Sequence, residues 1–266
     1  MERQLNDQAA SLRKIAWERG RHAKYISVSS GKGGVGKTTF VVNLAYALSQ
    51  AGKRVLVFDA DLSLGNIDIM LKIPAGINIR QYLAGKAKLE DVLVHGIYGF
   101  DVLPASSGFV ELADLSEQDF AKIQQVFVTL DNNYDYIIFD TGAGISDSVH
   151  KFVSMAEIVI AVTQPEPPAI ADAYAFFKTA KQLHSIEKAY IVFNRVDNDA
   201  HARKVFENLA GVAKKFLNLK IELLANMPED PEVKRTTKTQ KLLSLVSPQS
   251  PFAKGISVLA NRINSL

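Results

Sequence analysis

Cysteine is absent from the 266 residues of this chain. Its absence excludes disulfides, a thiolate nucleophile, and zinc or iron–sulfur sites held by cysteine ligands. It also fits a reducing compartment such as the cytosol. No apolar run approaches the roughly 20 residues that a membrane-spanning helix needs, and the polar N-terminus does not resemble a secretory signal. We therefore expect a cytoplasmic protein with no membrane-spanning helix.

A strong net charge is also missing, because basic and acidic side chains nearly balance at +3. Their placement is uneven: residues 1–24 hold six basic and three acidic side chains, and residues 231–266 hold six and one. The part between them is acidic. Basic ends indicate anionic lipid, nucleic acid or an acidic protein as partners, although solvated helix faces produce the same pattern.

Hydrophobic residues make up 47% of the chain, enough for a sizeable core. From Tyr25 onward, apolar runs alternate with stretches of helical periodicity, which predicts strands buried on both faces of a parallel sheet. The predicted strands are Tyr25–Val28, Val55–Phe58, Phe100–Leu103, Tyr136–Phe139, Ile158–Val162, Tyr190–Phe193 and a segment near Ile221–Ala225. The main predicted helices are Glu117–Asn132, Pro168–His184 and Ala200–Phe216.

The stretch S-G-K-G-G-V-G-K-T-T, residues Ser30–Thr39, lies between the first predicted strand and a helical pattern. It contains the phosphate-binding spacing G-x-x-x-x-G-K-[ST]. Its glycines let successive backbone N–H groups face an anion, and the following helix adds the positive end of its dipole. Lys37 is expected to reach the β- and γ-phosphates, and the Thr38 hydroxyl to bind Mg²⁺. The predicted nucleotide contacts in this loop are Gly31, Lys32, Gly33, Gly34, Val35, Gly36, Lys37, Thr38 and Thr39. The expected fold class is therefore α/β, a three-layer P-loop NTPase with a mostly parallel central sheet flanked by helices.

Aspartates follow two of the predicted strands. Asp59 and Asp61 end the second strand, and Asp140 ends the strand Tyr136–Phe139. Because ligands bind at the carboxyl ends of strands in open α/β sheets, these side chains should face the phosphate loop. We predict that Asp59 and Asp140 support the Mg²⁺ shell and that Asp61 orients the attacking water.

Two further strand ends are candidates for the nucleotide base. Asn194 follows the strand Tyr190–Phe193 and is placed to hydrogen-bond the base edge. Pro228 and Glu229, after the last predicted strand, are placed to wall its other side. The N-x-x-D spacing from Asn194 to Asp197 also resembles a guanine-reading motif, so these residues leave both ATP and GTP open.

These motifs together resemble the deviant Walker A signature of the MinD/ParA ATPases, whose extra lysine corresponds to Lys32. The resemblance continues through Phe58–Asp68, Asp140–Ser146 and Met227–Asp230 and covers essentially all of residues 25–266. It implies a homodimer that forms with ATP and Mg²⁺, binds the membrane, and is released after hydrolysis to ADP and phosphate. It also implies that Lys32 acts across the dimer as a catalytic lysine beside Lys37, and that Asp61 activates water.

The N-terminal segment resembles the D-Q-A-x-x-L-R sequence of the FlhG (FleN/YlxH) branch of this family, which regulates flagellar number and placement. Asp7, Gln8, Leu12 and Arg13 carry that match. The resemblance implies that this segment contacts the GTPase FlhF. It further implies binding to the flagellar switch-ring proteins FliM and FliN or FliY and to the inner face of the cell membrane, with no specific nucleic acid.

The C-terminal end carries one apolar stripe on a predicted helix that begins at Ser250. Phe252, Ile256, Leu259, Ile263 and Leu266 recur at helical spacing, and the first four are the predicted membrane contacts. The same stripe fits a last core helix, and that alternative stays open. The expected division is an N-terminal helix over residues 1–20, an ATPase domain over 21–249 and this helix over 250–266.

Other functions fit parts of the pattern. A ParA-type partition protein that binds DNA is disfavoured by the acidic central region, and a division-site regulator of the MinD type shares the same motifs. A cluster-carrying ATPase needs bridging cysteines, which are missing. A small-molecule kinase or ligase needs a substrate pocket that the sequence does not indicate.

Overall fold

The computed structural model of the chain describes residues 22–61, 65–74, 76, 78–105 and 116–266. The predicted N-terminal helix, with Asp7, Gln8, Leu12 and Arg13, lies outside these residues. No helix in the described part of the chain is long and apolar enough to cross a membrane.

An eight-stranded sheet forms the centre of the described structure, in the order β3-β4-β2-β5-β1-β6-β7-β8. Its strands are β1 Lys24–Ser30, β2 Val55–Ala60, β3 Val94–Ile97, β4 Phe100–Leu103, β5 Tyr136–Ala143, β6 Ile158–Thr163, β7 Lys188–Val196 and β8 Lys220–Pro228. Every pairing is parallel except that between β3 and β4. The mostly parallel sheet predicted from the apolar runs is therefore confirmed.

Helices connect these strands and cover both faces of the sheet. They are α1 Lys37–Gln50, α2 Ile67–Leu71, α3 Ile79–Leu83, α4 Leu89–Val92, α5 Glu117–Leu130, α6 Asp147–Met155, α7 Pro167–His184, α8 Asp199–Leu217, α9 Pro231–Thr239, α10 Leu243–Val246 and α11 Pro251–Asn264. The three long helices predicted between strands are confirmed as α5, α7 and α8. The helices α1, α10 and α11 pack on one face of the sheet, and α5 to α8 pack on the other.

Of the hairpin formed by β3 and β4, the sequence predicted only the second strand, β4. Ile97 pairs with Phe100, and the two residues between them, Tyr98 and Gly99, both have positive φ, at 51° and 95°. Two positive φ values suit the tight turns that match the twist of paired strands. The pair Tyr-Gly lacks the asparagine or aspartate that usually marks such a turn, so the sequence provided little signal.

The C-terminal helix α11 is part of the core. Ser250 caps its N-terminus, as predicted, by accepting a hydrogen bond from the Ala253 N–H at 3.2 Å. Four of the five residues of the predicted stripe, Phe252, Ile256, Leu259 and Ile263, are each no more than 1% exposed, whereas Leu266 at the end of the chain is 39% exposed. The four buried residues pack in one cluster with α1 and β8. In this conformation these four side chains are covered by protein, as the alternative of a last core helix requires.

Two further contacts hold α11 against the edge of the sheet. An Arg262 guanidinium nitrogen donates to the carbonyl oxygens of Leu223 and Leu224 on β8, both at 2.9 Å. A Cβ atom at Gly255 would lie 3.0 Å from the Met227 methyl carbon, so this glycine permits the close approach of α11 to β8. Because unpaired edge groups invite pairing with other chains, Arg262 also protects the exposed edge of β8.

Candidate nucleotide-binding site

The phosphate loop joins β1 to α1 and has the backbone that its glycines allow. Gly34 and Gly36 have positive φ values of 77° and 92°, a region that other residues adopt at a cost. A Cβ atom at Gly36 would also lie 2.4 Å from the amide nitrogen of Asn194. Gly36 therefore permits both the local turn and the close contact with β7. The helix α1 begins at the next residue, Lys37.

A cleft of about 1260 Å³ opens above the carboxyl ends of the central strands. Its lining includes, among the predicted residues, Gly33, Gly34, Val35, Gly36, Lys37, Thr38, Thr39, Asp61, Asn194, Pro228 and Glu229. The structure thus brings together the phosphate loop, the carboxylate after β2 and both predicted walls of the base site. The predicted residues Gly31, Lys32, Asp59 and Asp140 do not line the cleft itself.

Lys37 and Asp140 form a buried ion pair at the floor of the cleft. The Lys37 Nζ lies 2.6 Å from an Asp140 carboxylate oxygen, and the two side chains are 9% and 2% exposed. Asp59 is the register partner of Asp140 on the adjacent strand β2 and is equally buried. Burial, and next the charge of Asp140, raise the pKa of the Asp59 carboxyl well above its usual range. The cluster holds two carboxyl groups and one cation.

Asp59 also organises the segment that follows β2. Its two carboxylate oxygens accept hydrogen bonds from the backbone N–H groups of Asp61 and Ile67, both at 3.3 Å. A Cβ atom at Gly65 would lie 2.6 Å from the Asp59 carboxylate, so the chain passes it closely. Asp59 therefore supports the position of Asp61 from below the cleft.

This donor set fits a magnesium ion held together with a nucleotide. Within the described residues, no cluster of three or more His, Cys, Asp or Glu side chains has the arrangement of a protein-only metal site. Magnesium is bound through one or two carboxylates or hydroxyls plus phosphate oxygens and waters. The Thr38 hydroxyl in the cleft and the two carboxyl groups of Asp59 and Asp140 match that pattern.

Asp61 is half-buried and lines the cleft beside the loop that follows β5. A Cβ atom at Gly142 would lie 3.7 Å from the Asp61 carboxylate, so the two segments are in contact range. The position agrees with the prediction that Asp61 faces the phosphate loop. Its role toward water stays a prediction.

Gly31 and Lys32 lie on the outer side of the phosphate loop. A Cβ atom at Gly31 would come within 2.4 Å of the Asp172 backbone, so this glycine allows α7 to pack on the loop. Lys32 is exposed. Its action on a second molecule stays a prediction.

Asn194 is 5% exposed and makes a contact that the sequence did not predict. Its amide nitrogen donates to the Val35 carbonyl oxygen at 2.7 Å, which ties the end of β7 to the phosphate loop. Arg195 makes a similar contact, and it too was missed. Contact with the nucleotide base, which we predicted for Asn194, stays a prediction.

One wall of the cleft is formed by residues that no motif indicated. They are Val233, Lys234, Thr237, Lys238 and Gln240 of α9 and its C-terminal end, and Ile69 and Met70 of α2 also line the cleft. The lysines at positions 234 and 238 share one face of α9 because they are four residues apart. That spacing was the only feature of the sequence that could have indicated this wall of the cleft. It was not specific, because the same spacing is common on solvated helices.

Comparison with known proteins establishes the family to which this chain belongs. A family profile described as an AAA domain matches residues 23–192. The antiactivator FleN of Pseudomonas aeruginosa is 34% identical over 240 residues, which is 90% of this chain and 86% of that protein. The chain belongs to the MinD/ParA family of P-loop ATPases.

Other members of this family extend the comparison. The flagellum site-determining protein YlxH of Helicobacter pylori is 33% identical over 92% of this chain and 83% of its own length. The septum site-determining protein MinD of Pyrococcus horikoshii, solved as a complex with Mg-ADP, superimposes with a TM-score of 0.75. It is 28% identical, and the match covers 91% of this chain and 96% of that one. The family membership agrees with the phosphate loop and the carboxylates that line the cleft.

Proposed function

We propose that this chain is an ATPase switch that binds ATP with Mg²⁺, dimerises, and controls flagellar number or placement. The observation that carries the proposal is the meeting of the phosphate loop with Asp59, Asp61 and Asp140 at one end of the sheet. The Mg-ADP complex of the related MinD supports ATP and ADP as the nucleotides.

The side chains at the floor of the cleft would rearrange when a triphosphate binds. Lys37 is paired with Asp140 in the structure described here. Lys37 would then pair with phosphate oxygens and no longer with Asp140. Asp140 and Asp59 would face the Thr38 hydroxyl and the cation. The bound Mg²⁺ supplies charge neutralisation for the transferred phosphoryl group. Asp61 would orient the water from the side of the cleft.

Dimerisation is supported by what surrounds the mouth of the cleft. Lys32 is exposed on the phosphate loop, and Ile69 and Ile145 are exposed to 53% and 51% nearby in the chain segments after β2 and β5. Apolar side chains that remain exposed around a polar cleft mark an interaction surface. In a symmetric dimer the lysine of one copy reaches the nucleotide of the other.

A mixing experiment tests this arrangement. Lys32→Ala and Asp61→Ala chains would each be inactive alone, because each lacks one catalytic group in every site. Mixed with ATP and Mg²⁺, they would form hybrid dimers in which one of the two sites is complete. We expect phosphate release to recover to roughly a quarter of the wild-type rate at an equal mixture, because half of the dimers are hybrids with one competent site.

The oligomeric state provides the control. Light scattering after size exclusion should show a dimer of Asp61→Ala protein with ATP and a monomer with ADP. Asp61→Ala protein that stays monomeric with ATP would refute the dimer, and wild-type turnover by that protein would refute the role of Asp61. Mixtures that stay inactive although hybrid dimers form would refute the action of Lys32 across the interface.

The flagellar role is supported by the names of two relatives, an antiactivator and a flagellum site-determining protein. The partners that follow from the resemblance are FlhF through residues 1–20 and the switch-ring proteins FliM and FliN or FliY. Division-site placement is the second candidate, because MinD superimposes on the same fold. Deleting the gene in its source organism and restoring it with Lys37→Gln separates these roles. Altered flagellar counts with normal septa favour the first, and misplaced septa with normal flagella favour the second.

Membrane binding through α11 requires the helix to leave its position. Releasing four buried side chains from the core costs on the order of 6–12 kcal/mol at about 1.5–3 kcal/mol each. That cost is comparable to the whole stability of a typical domain, about 5–15 kcal/mol. We therefore propose membrane contact only for a state in which ATP-driven dimerisation compensates for the release. Hydrogen exchange should then show α11 amides protected with ADP and open in Asp61→Ala dimers that float with anionic vesicles. Flotation while α11 remains protected would assign the lipid contact to another surface.

A further inference from the structure

Two consecutive residues at the end of β7 hold two consecutive carbonyl groups of the phosphate loop. The Asn194 amide nitrogen donates to the Val35 carbonyl oxygen at 2.7 Å. The Arg195 guanidinium donates to the Gly34 carbonyl oxygen at 3.0 Å. In a regular strand, neighbouring side chains point to opposite faces of the sheet, so these two would not reach the same loop.

The backbone of Arg195 explains how both side chains reach it. Arg195 has a φ of 55°, in the left-handed region, although it lies within β7. The pairing of β7 with β8 shifts register between Phe193 and Val196, which marks a bulge at this point. Bulges beside functional sites redirect a side chain, and here the bulge directs Arg195 to the loop.

The left-handed conformation of Arg195 is unusual among the described residues. Five more described residues other than glycine have a positive φ, and they are Lys72, Tyr98, Ser185, Asn218 and Gln240. Four of them follow the last residue of a helix, and Tyr98 lies in the turn between β3 and β4. Arg195 alone among these six residues lies inside a strand. Holding an arginine there costs free energy that the contact with the loop compensates.

The two contacts set the direction of backbone N–H groups. In a trans peptide unit the C=O and N–H bonds point in opposite directions. Fixing the Gly34 and Val35 carbonyls toward β7 therefore aims the N–H groups of Val35 and Gly36 away from it, on the side where the loop encloses an anion. Such N–H groups bind phosphate best when their orientation is set before the ligand arrives.

We propose that Arg195, together with Asn194, is a positioning residue that orients the phosphate loop for the nucleotide. The proposal rests on the nucleotide binding of the proposed function. Arg195 lines the cleft and holds the loop, and its effect is on the affinity for ATP. The bulge in β7 is the structural feature that makes the contact possible.

Arg195→Gly separates a positioning role from a structural one. Glycine removes the guanidinium and also accepts the left-handed backbone, so the folded chain without nucleotide should melt at the same or a higher temperature. We expect the dissociation constant for ATP with Mg²⁺, measured by calorimetry, to rise about five- to tenfold, as for the loss of one hydrogen bond of ordinary strength. Arg195→Lys, which keeps a charged donor, should recover part of the affinity.

Ser185→Gly is the matched control, because Ser185 has a φ of 53° but lies at the C-terminal end of α7, away from the cleft. It should raise the melting temperature and leave the ATP dissociation constant unchanged. Unchanged ATP affinity in Arg195→Gly overturns the proposal. A melting temperature that falls together with the affinity overturns it in favour of a structural role. Failure of the wild-type chain to bind ATP would instead overturn the proposed function.

Discussion

Single side chains decide most of the chemistry at the cleft, and the ion pair of Lys37 with Asp140 shows how. The pair is almost fully buried, and Asp59 adds a second carboxyl group whose pKa is raised because it is buried. Burying a lone charge is costly, so each member of this cluster depends on the others. Removing one member of the pair therefore leaves an unpaired buried charge in the chain without ligand.

Replacing Lys37 tests both consequences. We expect Lys37→Gln to lose ATP binding, and the free energy of unfolding without nucleotide to fall by about 3–5 kcal/mol, because Asp140 is left as an unpaired buried charge. Urea denaturation measures the second effect. The double variant Lys37→Gln with Asp140→Asn should regain most of the stability but not the ATP binding. Equal stability of the single variant and the wild type would show that the pair is not buried in solution.

His150 should make the stability of the folded chain sensitive to acid. It is 2% exposed, neither ring nitrogen has a hydrogen-bond partner, and burial lowers its pKa. Phe176 and His184 on α7 face it, and Asp147 on its own helix partly opposes the effect. Because the unfolded chain takes up the proton first, stability is full above a pH of about 6.5 and falls as the pH drops below it.

The comparison that checks this uses one buried and one exposed histidine. Urea unfolding at pH 7.5 and pH 5.5 should show a smaller loss of stability for His150→Leu than for the wild type. His201→Leu, at an exposed position, should lose as much as the wild type. An equal loss in all three proteins would place the acid sensitivity elsewhere.

At the scale of whole elements, α11 shows that one amphipathic helix fits two environments. Its stripe of Phe252, Ile256, Leu259 and Ile263 satisfies the spacing of a lipid-facing helix and equally that of a core helix. The structure places the stripe between α1 and β8. Asp230 adds to this coupling, since one carboxylate oxygen accepts from the Glu232 N–H of α9 and the other from the Phe252 N–H of α11. Asp230 therefore links the start of α9 to the start of α11.

Truncating side chains on the two faces of α11 distinguishes these environments. Ile256→Ala should lower the free energy of unfolding in the absence of lipid by about 2–5 kcal/mol, because it opens a cavity in the core. Val258→Ala, at a position that is 71% exposed, should change it by less than about 0.5 kcal/mol. Denaturant titration followed by circular dichroism measures both. Similar small effects at the two positions would indicate that α11 is not docked in solution.

At the scale of the whole molecule, nucleotide binding and folding are linked. The cleft draws residues from the ends of five strands and from α9, so a ligand that fills it binds the folded chain and not the unfolded one. Stability then rises with ligand concentration by mass action. The same linkage gives a measure of binding that does not depend on catalysis.

ATP with Mg²⁺ at about 100 times its dissociation constant should stabilise the wild type by about 2.7 kcal/mol. The shift in melting temperature should be absent from Lys37→Gln and reduced in Arg195→Gly at the same ATP concentration. GTP, tested in the same way, decides the base preference that the sequence left open. An equal shift with GTP would contradict ATP as the specific nucleotide.

The sequence by itself determined the architecture and the place of the candidate site. Apolar runs, glycine spacing and the residues that end each strand are local patterns, and the rule that parallel strands end at one edge brings Lys37, Asp61 and Asp140 together without further information. The β3 strand, the α9 wall and the Arg195 contact depended on tertiary structure. Each arises from register or from residues far apart in the chain: Arg195 and Gly34 are 161 positions apart. The burial of α11 also depended on the tertiary structure. An apolar stripe indicates that this face of the helix is covered, but it does not indicate whether protein or lipid covers it.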